Sequence, residues 1–334
     1  MRKYLLPELG GFYKANLHMH TTVSDGRMTP EETKKVYKDK GYSIVAFSDH
    51  ELLVPHNDLT DENFLAITAC EIGIDNEDIK CIHLNLYAKD KNCCINPVWG
   101  NKFYGKRWAL KASDEQKEIQ FPRSYSIDGI NAIIKKANEA GFLVSYNHPV
   151  WSHQNYEDYK DMKGIWGIEL YNTGCERGGL HDSIQPLRDF WWKEKQVFPL
   201  ATDDAHKIED CFGGWVMIKS ERLDYESVMG ALERGDFYAS TGPQIKELYI
   251  ENGFLYVKTS QVKEINLLTE LSKYVRVSRA KDGELINESV FDINAYLHEV
   301  PMSHVVWSTF FRVEVVDFAG NKAYSRAYFT KEIL

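Results

Sequence analysis

The sequence predicts an α/β domain on a parallel sheet, open or closed into a barrel, followed by a small all-β domain. Three observations predict it. Short, nearly continuous apolar runs alternate with helical patterns through the first two-thirds of the chain, as expected of strands buried on both faces. That alternation stops at Gly242-Pro243. Beyond it, apolar runs come in pairs around turn residues, with little helical periodicity. A chain of 334 residues has room for one domain of roughly 200–250 residues and a smaller one. The boundaries are set at 1–243 and 244–334.

KANLHMH (14–20) reads as the first strand. Thr29 then caps a helix, with Pro30 at its first position and Glu32 completing a capping box, and Gly41 ends it. YSIVAFS (42–48), FLAITAC (64–70) and CIHLNLY (81–87) are the next three strands. A helix starts at Ser126 and stops at Gly141. FLVSYN (142–147), IWGIELY (165–171) and VFPLAT (197–202) are further strands, with helices at about 184–195 and 225–234. Past residue 243, Asn252-Gly253 and Ala319-Gly320-Asn321 each join two strand-like runs, giving a sandwich-like β domain. It is expected to fold separately and to supply no ligand. Residues 88–125 fit neither pattern. They carry several aromatics, and eight basic residues against four acidic make them locally +4. The segment reads either as a lid insertion or as a surface insertion packed by its own aromatics.

Composition narrows the function. Asp+Glu 49 against Lys+Arg 40 gives a formal −9, the wrong balance for a protein that holds long nucleic acid. No apolar run approaches the roughly 18 residues of a membrane span, and the start has no apolar stretch of signal-peptide length. A cytoplasmic, non-membrane protein is the expectation. The six cysteines lack any C-x-x-C and fit buried thiols. The composition leaves open whether the chain forms a homo-oligomer.

The histidines are not scattered. His18 and His20 close the first strand, and Asp25 follows. His50 closes the second and Glu71 the third; His83 lies in the fourth. His148, then Asp204 and His206, follow later strands. The carboxyl ends of strands are where parallel α/β folds gather ligands. A single histidine at such a place is more often structural. Six histidines and three carboxylates at one rim have no structural purpose equal to their burial cost. Imidazole-rich N/O donors suit two or three divalent ions of Zn, Mn or Fe, rather than Mg or Ca. Against three carboxylates, two or three such ions leave a net charge of +1 to +3, which attracts an anion such as phosphate. Metals about 3.5–4 Å apart can share a hydroxide and clamp a phosphoryl group. The expected reaction is attack by that metal-bound hydroxide on a phosphoester.

These residues stand as His18-Met19-His20-Thr21, Ser24-Asp25-Gly26, Ser48-Asp49-His50, Glu71, His83, Asn147-His148-Pro149 and Asp204-Ala205-His206. In them, from about 14 to 210, the chain resembles the PHP (polymerase and histidinol phosphatase) family. The resemblance implies a distorted (βα)7 barrel with a bi- or trinuclear centre. It gives His18, His20, Glu71 and Asp204 to one metal. Glu71 bridges to a second, held by His83 and His148, while Asp25, His50 and His206 hold a third. Glu71, Asp25 and His206 form the catalytic set. The segment Ala231–Pro243 resembles the junction of the CehA/McbA-like group, which often carries a C-terminal β domain and includes carbamate and amide hydrolases. The first reading is a phosphoesterase for a small anionic substrate: a nucleotide, short oligonucleotide or sugar phosphate. A carbamate or amide hydrolase is the alternative, and a non-catalytic metal-binding protein is the third.

Arg177 and Lys207 lie near the predicted ligand loops and Arg107 lies in the insertion; each could meet a substrate phosphate. Asp49 and Asp203 each neighbour a proposed ligand and are expected to accept a hydrogen bond from an imidazole. Trp99, Tyr104, Trp108 and Tyr125 could stack on a ring, and Lys106 with Arg107 could meet a phosphate.

Overall fold

A computed structural model describes residues 2–76, 79–100, 107–269, 275–281, 283–294 and 310–333. Its strands in chain order are β1 (Lys3–Tyr4), β2 (Gly11–Asn16), β3 (Ile44–Phe47), β4 (Leu65–Asp75), β5 (Cys81–Ala88), β6 (Phe142–Tyr146), β7 (Gly167–Asn172), β8 (Phe198–Thr202), β9 (Trp215–Ser220) and β10 (Phe237–Ser240). The C-terminal region adds β11 (Ile245–Glu251), β12 (Phe254–Val262), β13 (Glu264–Thr269), β14 (Arg276–Arg279), β15 (Ile286–Asp292), β16 (Phe310–Val316), β17 (Lys322–Tyr324) and β18 (Tyr328–Phe329).

The local signals act as their chemistry dictates. The helix Pro30–Asp39 opens with a complete capping box, Thr29 Oγ1 accepting from Glu32 N and Glu32 Oε2 from Thr29 N. Ser126 caps the helix Ile127–Glu139, whose Ile130, Ile133, Ile134 and Ala137 face the core. β3 and β6 are buried at every position, as their unbroken apolar runs require.

Strands β2 to β8 pair in sequence order. The sheet is not all-parallel, which corrects the sequence expectation. β5 runs antiparallel to both β4 and β6, while β2–β3–β4 and β6–β7–β8 are parallel. The cause is the short link from Asp75 to Cys81, which can close a hairpin but cannot carry a crossover. A 3-10 turn, Asn57–Leu59, stands between β3 and β4 where regular βα alternation would place a helix. Two hydrogen bonds tie the segment after β8 back to the one after β2: Asp204 N to the His18 carbonyl (2.9 Å) and His20 N to the Ala205 carbonyl (3.1 Å).

The C-terminal strands form a sandwich. Strands β1-β11-β12-β15 make one sheet; β14-β13-β16-β17 make the other. Their shared core includes Leu248, Val257, Ile265, Phe291, Val313 and Val315. Asn252 (φ 52°) and Gly253 (φ 78°) form the expected left-handed two-residue turn between β11 and β12. The N-terminus belongs to this sandwich, because β1 pairs with β11.

The second sheet also continues into the first domain. β17 pairs with β10, and β10 with β9. Successive side chains of β16 face opposite ways. Phe311, Val313 and Val315 enter the sandwich core, while Phe310 packs on Trp191 at 5.6 Å between ring centroids. Residues 244–334 are thus joined to the α/β domain more closely than the sequence reading expects. A chain ending at Pro243 loses β17 from β10, and Phe310 and Phe329 from the larger core. It is expected to melt well below the full chain in thermal scans, whereas an unchanged Tm would show independent folding. In the full chain, Phe310→Ala is expected to cost about 3 kcal/mol or more in urea denaturation.

Candidate metal centre

Backbone hydrogen bonds place the ligand-type residues before any side chain does. His50 bridges Glu71 in parallel register. Gly73 pairs with His83 across β4 and β5, and Asn147 N donates to the His83 carbonyl (3.1 Å). The bonds at His18–Asp204 and His20–Ala205 complete the circuit. Glu71 does not end its strand, since β4 runs on to Asp75. His83 is the third residue of β5 because that strand runs the other way; its amino end meets the carboxyl ends of its neighbours. Gly26 folds back so closely that a Cβ would stand 2.2 Å from the His20 carbonyl oxygen, so only glycine fits beside Asp25.

Nine side chains gather into three groups: His18, His20 and Asp204; Glu71, His83 and His148; and His20, Asp25, His50 and His206. Among the described residues, none of these comes from 244–334. Glu71, 1% exposed, stands at the middle. Its Oε1 lies 3.3 Å from His18 Nε2, 3.1 Å from His83 Nδ1 and 3.2 Å from His148 Nε2. Its Oε2 lies 3.4 Å from His20 Nε2 and 3.1 Å from His50 Nδ1. His50 Nε2 and His206 Nε2 face Asp25 Oδ1 at 3.7 and 3.5 Å. Asp204 and His148 hold left-handed backbones, at φ 49° and 24°. Such conformations persist only where surroundings impose them.

The donors fit a cation. Asp204 Oδ1 is buried and makes no well-aligned hydrogen bond, yet it stands 3.2 Å from His18 Nε2 and 3.1 Å from His20 Nε2. The two Nε2 atoms are themselves 3.2 Å apart. Their far nitrogens are occupied: His18 Nδ1 by Glu169 Oε1 (2.7 Å), His20 Nδ1 by Ser24 Oγ (3.4 Å). Ser152 Oγ meets His148 Nδ1 at 3.3 Å, and the Asp204 carbonyl meets His206 Nδ1 at 3.1 Å. Bonds of this kind fix the ring orientation and turn Nε2 toward the centre.

Charges respond to that crowding. Burial opposes protonation of His18, but Asp204, Glu169 and Glu71 outweigh it and hold its pKa well up. His20 is raised to about 9 against the same burial by Asp204 and Glu71. Burial opposes the charge on Glu71 and Asp204, but the imidazoles keep both well below the usual carboxylate range. His50 goes the other way, lowered by burial and by His20.

Several residues take places the sequence did not give them. Glu169, fully buried in β7, is a fourth carboxylate. It receives Thr202 Oγ1 at 2.8 Å, Asn172 Nδ2 at 3.0 Å and His148 N at 3.1 Å, besides holding His18. Its signal was a charged residue inside the apolar run IWGIELY. Asn147 Nδ2 donates to Glu71 Oε1 (2.9 Å). Asp49 does not hold an imidazole. It accepts from Thr21 N, Thr21 Oγ1, Ser24 N and Ser24 Oγ, and so shapes the loop that carries Asp25. Asp203 accepts from Tyr37, Thr173, Phe212 N and Gly213 N, and fixes the loop after His206.

Arg107 reaches the rim, with Nη2 3.6 Å from Asp25 Oδ2. Arg177 points instead to Asp210 (3.5 Å), and Lys207 is half-buried. Trp108 stacks on His50 at 6.1 Å and 18°. Lys111 Nζ caps the carbonyls of Thr22, Val23 and Ser24. Trp99 is a core residue beside Leu52 and Trp108 rather than a stacking platform. Tyr125 lines a separate cavity of about 450 Å³ with Gly73, Phe121 and Arg123. Lys106 and Tyr104 lie outside the described residues. Arg123 and the buried Glu51 form a bidentate pair, at 2.6 Å on each arm, that fastens the insertion to β4.

Fold and site together define an α/β protein with a histidine- and carboxylate-rich centre able to hold several metal ions. The chain belongs to the PHP domain family, whose profile matches residues 16–222. Among curated proteins none matches. Solved structures similar to it include a two-domain protein containing a predicted PHP-like metal-dependent phosphoesterase from Bacteroides vulgatus (13% identity, 98% of each chain covered, TM-score 0.49). An amidohydrolase from Chromobacterium violaceum with bound sulfate and no metal is 14% identical over 58% of this chain and 88% of its own (TM-score 0.40). A lesion-specific endonuclease from Pyrococcus furiosus is 16% identical over 67% of this chain and 56% of its own (TM-score 0.42). No described helix is long and apolar enough to cross a membrane.

Glu169→Gln should weaken metal binding by about 10–100-fold in a metal titration, because His18 loses the charged partner that orients it. A second expectation concerns pH. Burial pushes Asp182, whose Oδ1 accepts from Val150 N, up to about 7. The folded chain then keeps a proton that the unfolded chain releases above about pH 4. Asp182's own contribution to stability should fall as pH rises from about 4 to 7 and level off beyond, by on the order of 1–4 kcal/mol. In chelated protein, the Tm difference between wild type and Asp182→Asn should change with pH across that window; a difference that stays constant would contradict it.

Proposed function

We propose that the protein is a metal-dependent phosphoesterase acting on a small phosphorylated molecule: a nucleotide, a short oligonucleotide or a sugar phosphate. One observation carries the reading. Glu71 sits with both oxygens among five imidazoles, while Asp25 and His206 open the same cluster to solvent with side chains 25% and 38% exposed. A purely structural site would be closed. Two or three divalent ions, zinc, manganese or iron by donor type, would supply Lewis-acid activation of water and of the phosphoryl oxygens.

The chain's own groups do the rest. Glu71 spans the groups that contain His18 and His20 on one side and His83 and His148 on the other, and so sets their spacing. Asp25 and His206, the most open members, lie where the phosphoryl group enters. Arg107 brings a guanidinium to that mouth and suits an anion. The insertion serves as a cover: Trp108, Arg107 and Lys111 all dock on the loop or imidazole of the third group. Long nucleic acid is not a partner in this reading.

A carbamate or amide hydrolase is the second reading, favoured by the apolar flanks that Trp108 and Trp151 give the cluster. A panel of p-nitrophenyl phosphate, nucleotides, short oligonucleotides and aryl carbamates under Mn, Zn and Fe separates the two. Glu71→Ala and His20→Ala should each abolish metal loading and turnover together. Full turnover by a verified metal-free preparation would overturn the proposal.

A further inference from the structure

The loop after β6 is held more firmly than an ordinary surface turn. His148 and His153 bracket it with φ of 24° and 55°. Val150 N donates to Asp182 Oδ1 (2.9 Å), Ser152 N to the His148 carbonyl (3.1 Å), and Gln154 N to the Pro149 carbonyl (3.0 Å). Yet its largest side chain is left partly in water. Trp151 is 40% exposed, where Trp99 and Trp191 are buried. Fixing a backbone while leaving an indole exposed forgoes the burial of a large apolar side chain. Backbone strain that the surroundings impose, as at His148 and His153, clusters at functional sites.

The indole's position says which role. It lies 5.2 Å from the His83 ring and 5.0 Å from the His148 ring, so it stands directly beside the Glu71, His83 and His148 group. Ring centroids run from Trp108 to His50 (6.1 Å), to His83 (5.9 Å), to Trp151, with an indole at each end of the imidazole row. Trp108 is 6% exposed and taken up by His50, Arg107 and Lys111. Trp151 alone of the two keeps surface for another ring.

We propose that Trp151 is the seat of a planar ring carried by the substrate, so that the preferred esters are aryl phosphates or nucleotides rather than ring-free sugar phosphates. This rests on the phosphoesterase reading and narrows its substrate class. Because the indole is one ring's distance from the imidazoles, the substrate's ring lies within a few bonds of the ester. Stacking of this kind is sequence-tolerant and needs only a π-face.

The test is equilibrium binding of phenylphosphonate and methylphosphonate to the metal-loaded full chain by calorimetry, for wild type, Trp151→Ala and Trp151→Phe. The wild type should prefer the phenyl compound. Trp151→Ala should weaken phenylphosphonate roughly tenfold or more and leave methylphosphonate and metal content unchanged, and Trp151→Phe should restore most of the loss. An unchanged phenyl affinity, or equal weakening of both compounds, overturns the ring seat while leaving the phosphoesterase reading intact. If the wild type binds neither phosphonate, it is the phosphoesterase reading that fails. The same variants are then compared on phenyl and methyl carbamate: selective loss of the phenyl compound upholds the ring seat, and equal behaviour overturns it.

Discussion

Everything at the functional end of this fold follows from placing the Glu71 carboxylate, 1% exposed, among imidazoles. A buried carboxylate without partners is prohibitively costly. Here five ring nitrogens lie within 3.4 Å of its two oxygens, and Asn147 adds an amide donor. Such density is stable only if the backbones that bear the rings cannot drift. The circuit of main-chain bonds does that, joining His18 to Asp204, His20 to Ala205, His50 to Glu71 and Asn147 to His83. The left-handed backbones of Asp204 and His148 are part of the cost of convergence.

Strand direction has a functional consequence. β5 enters the centre by its amino end, which lets His83 and Glu71 come from one hairpin. The same hairpin carries Gly73, whose carbonyl accepts from Arg123, and whose amide donates to Glu51. One element therefore supplies ligands and anchors the insertion that reaches Asp25. Glu51 is buried, so losing Arg123 would leave an unpaired charge. Positioning of Trp108 and Arg107 over the third group depends on a contact more than ten residues away in sequence.

Much of this was legible in the sequence, and the reason is chemical. Imidazoles and carboxylates gathered at strand ends are costly unless used, so His18, His20, Asp25, His50, Glu71, His83, His148, Asp204 and His206 stood out as a set. What pattern reading missed were relations. Whether β5 runs parallel or antiparallel is set by the length of the link at 76–80, not by the apolar run. Glu169 hid as one charge in a buried strand. Asp49 and Asp203 were noticed as acids beside ligands, but the identity of their hydrogen-bond donors, which the sequence cannot carry, gives them to loops. Trp151 drew no attention because exposure is not written in residue type.

Glu169 also changes the electrostatics. The sequence counted three carboxylates and a net positive occupied site. With Glu169 2.7 Å from His18 the count is four, so two divalent ions would leave the cluster neutral and three would leave it at +2. Attraction of an anion then depends on filling the third group or on a cation from outside the cluster. Arg107 is placed to be that cation, since it meets Asp25, the acid of the third group. An ion bound there would compete with Arg107 for Asp25, and the guanidinium, 60% exposed, has room to turn toward an incoming phosphate. In the phosphoesterase reading, charge balance would thus link the third group to the insertion, and residues 107–111 would help the centre receive its substrate.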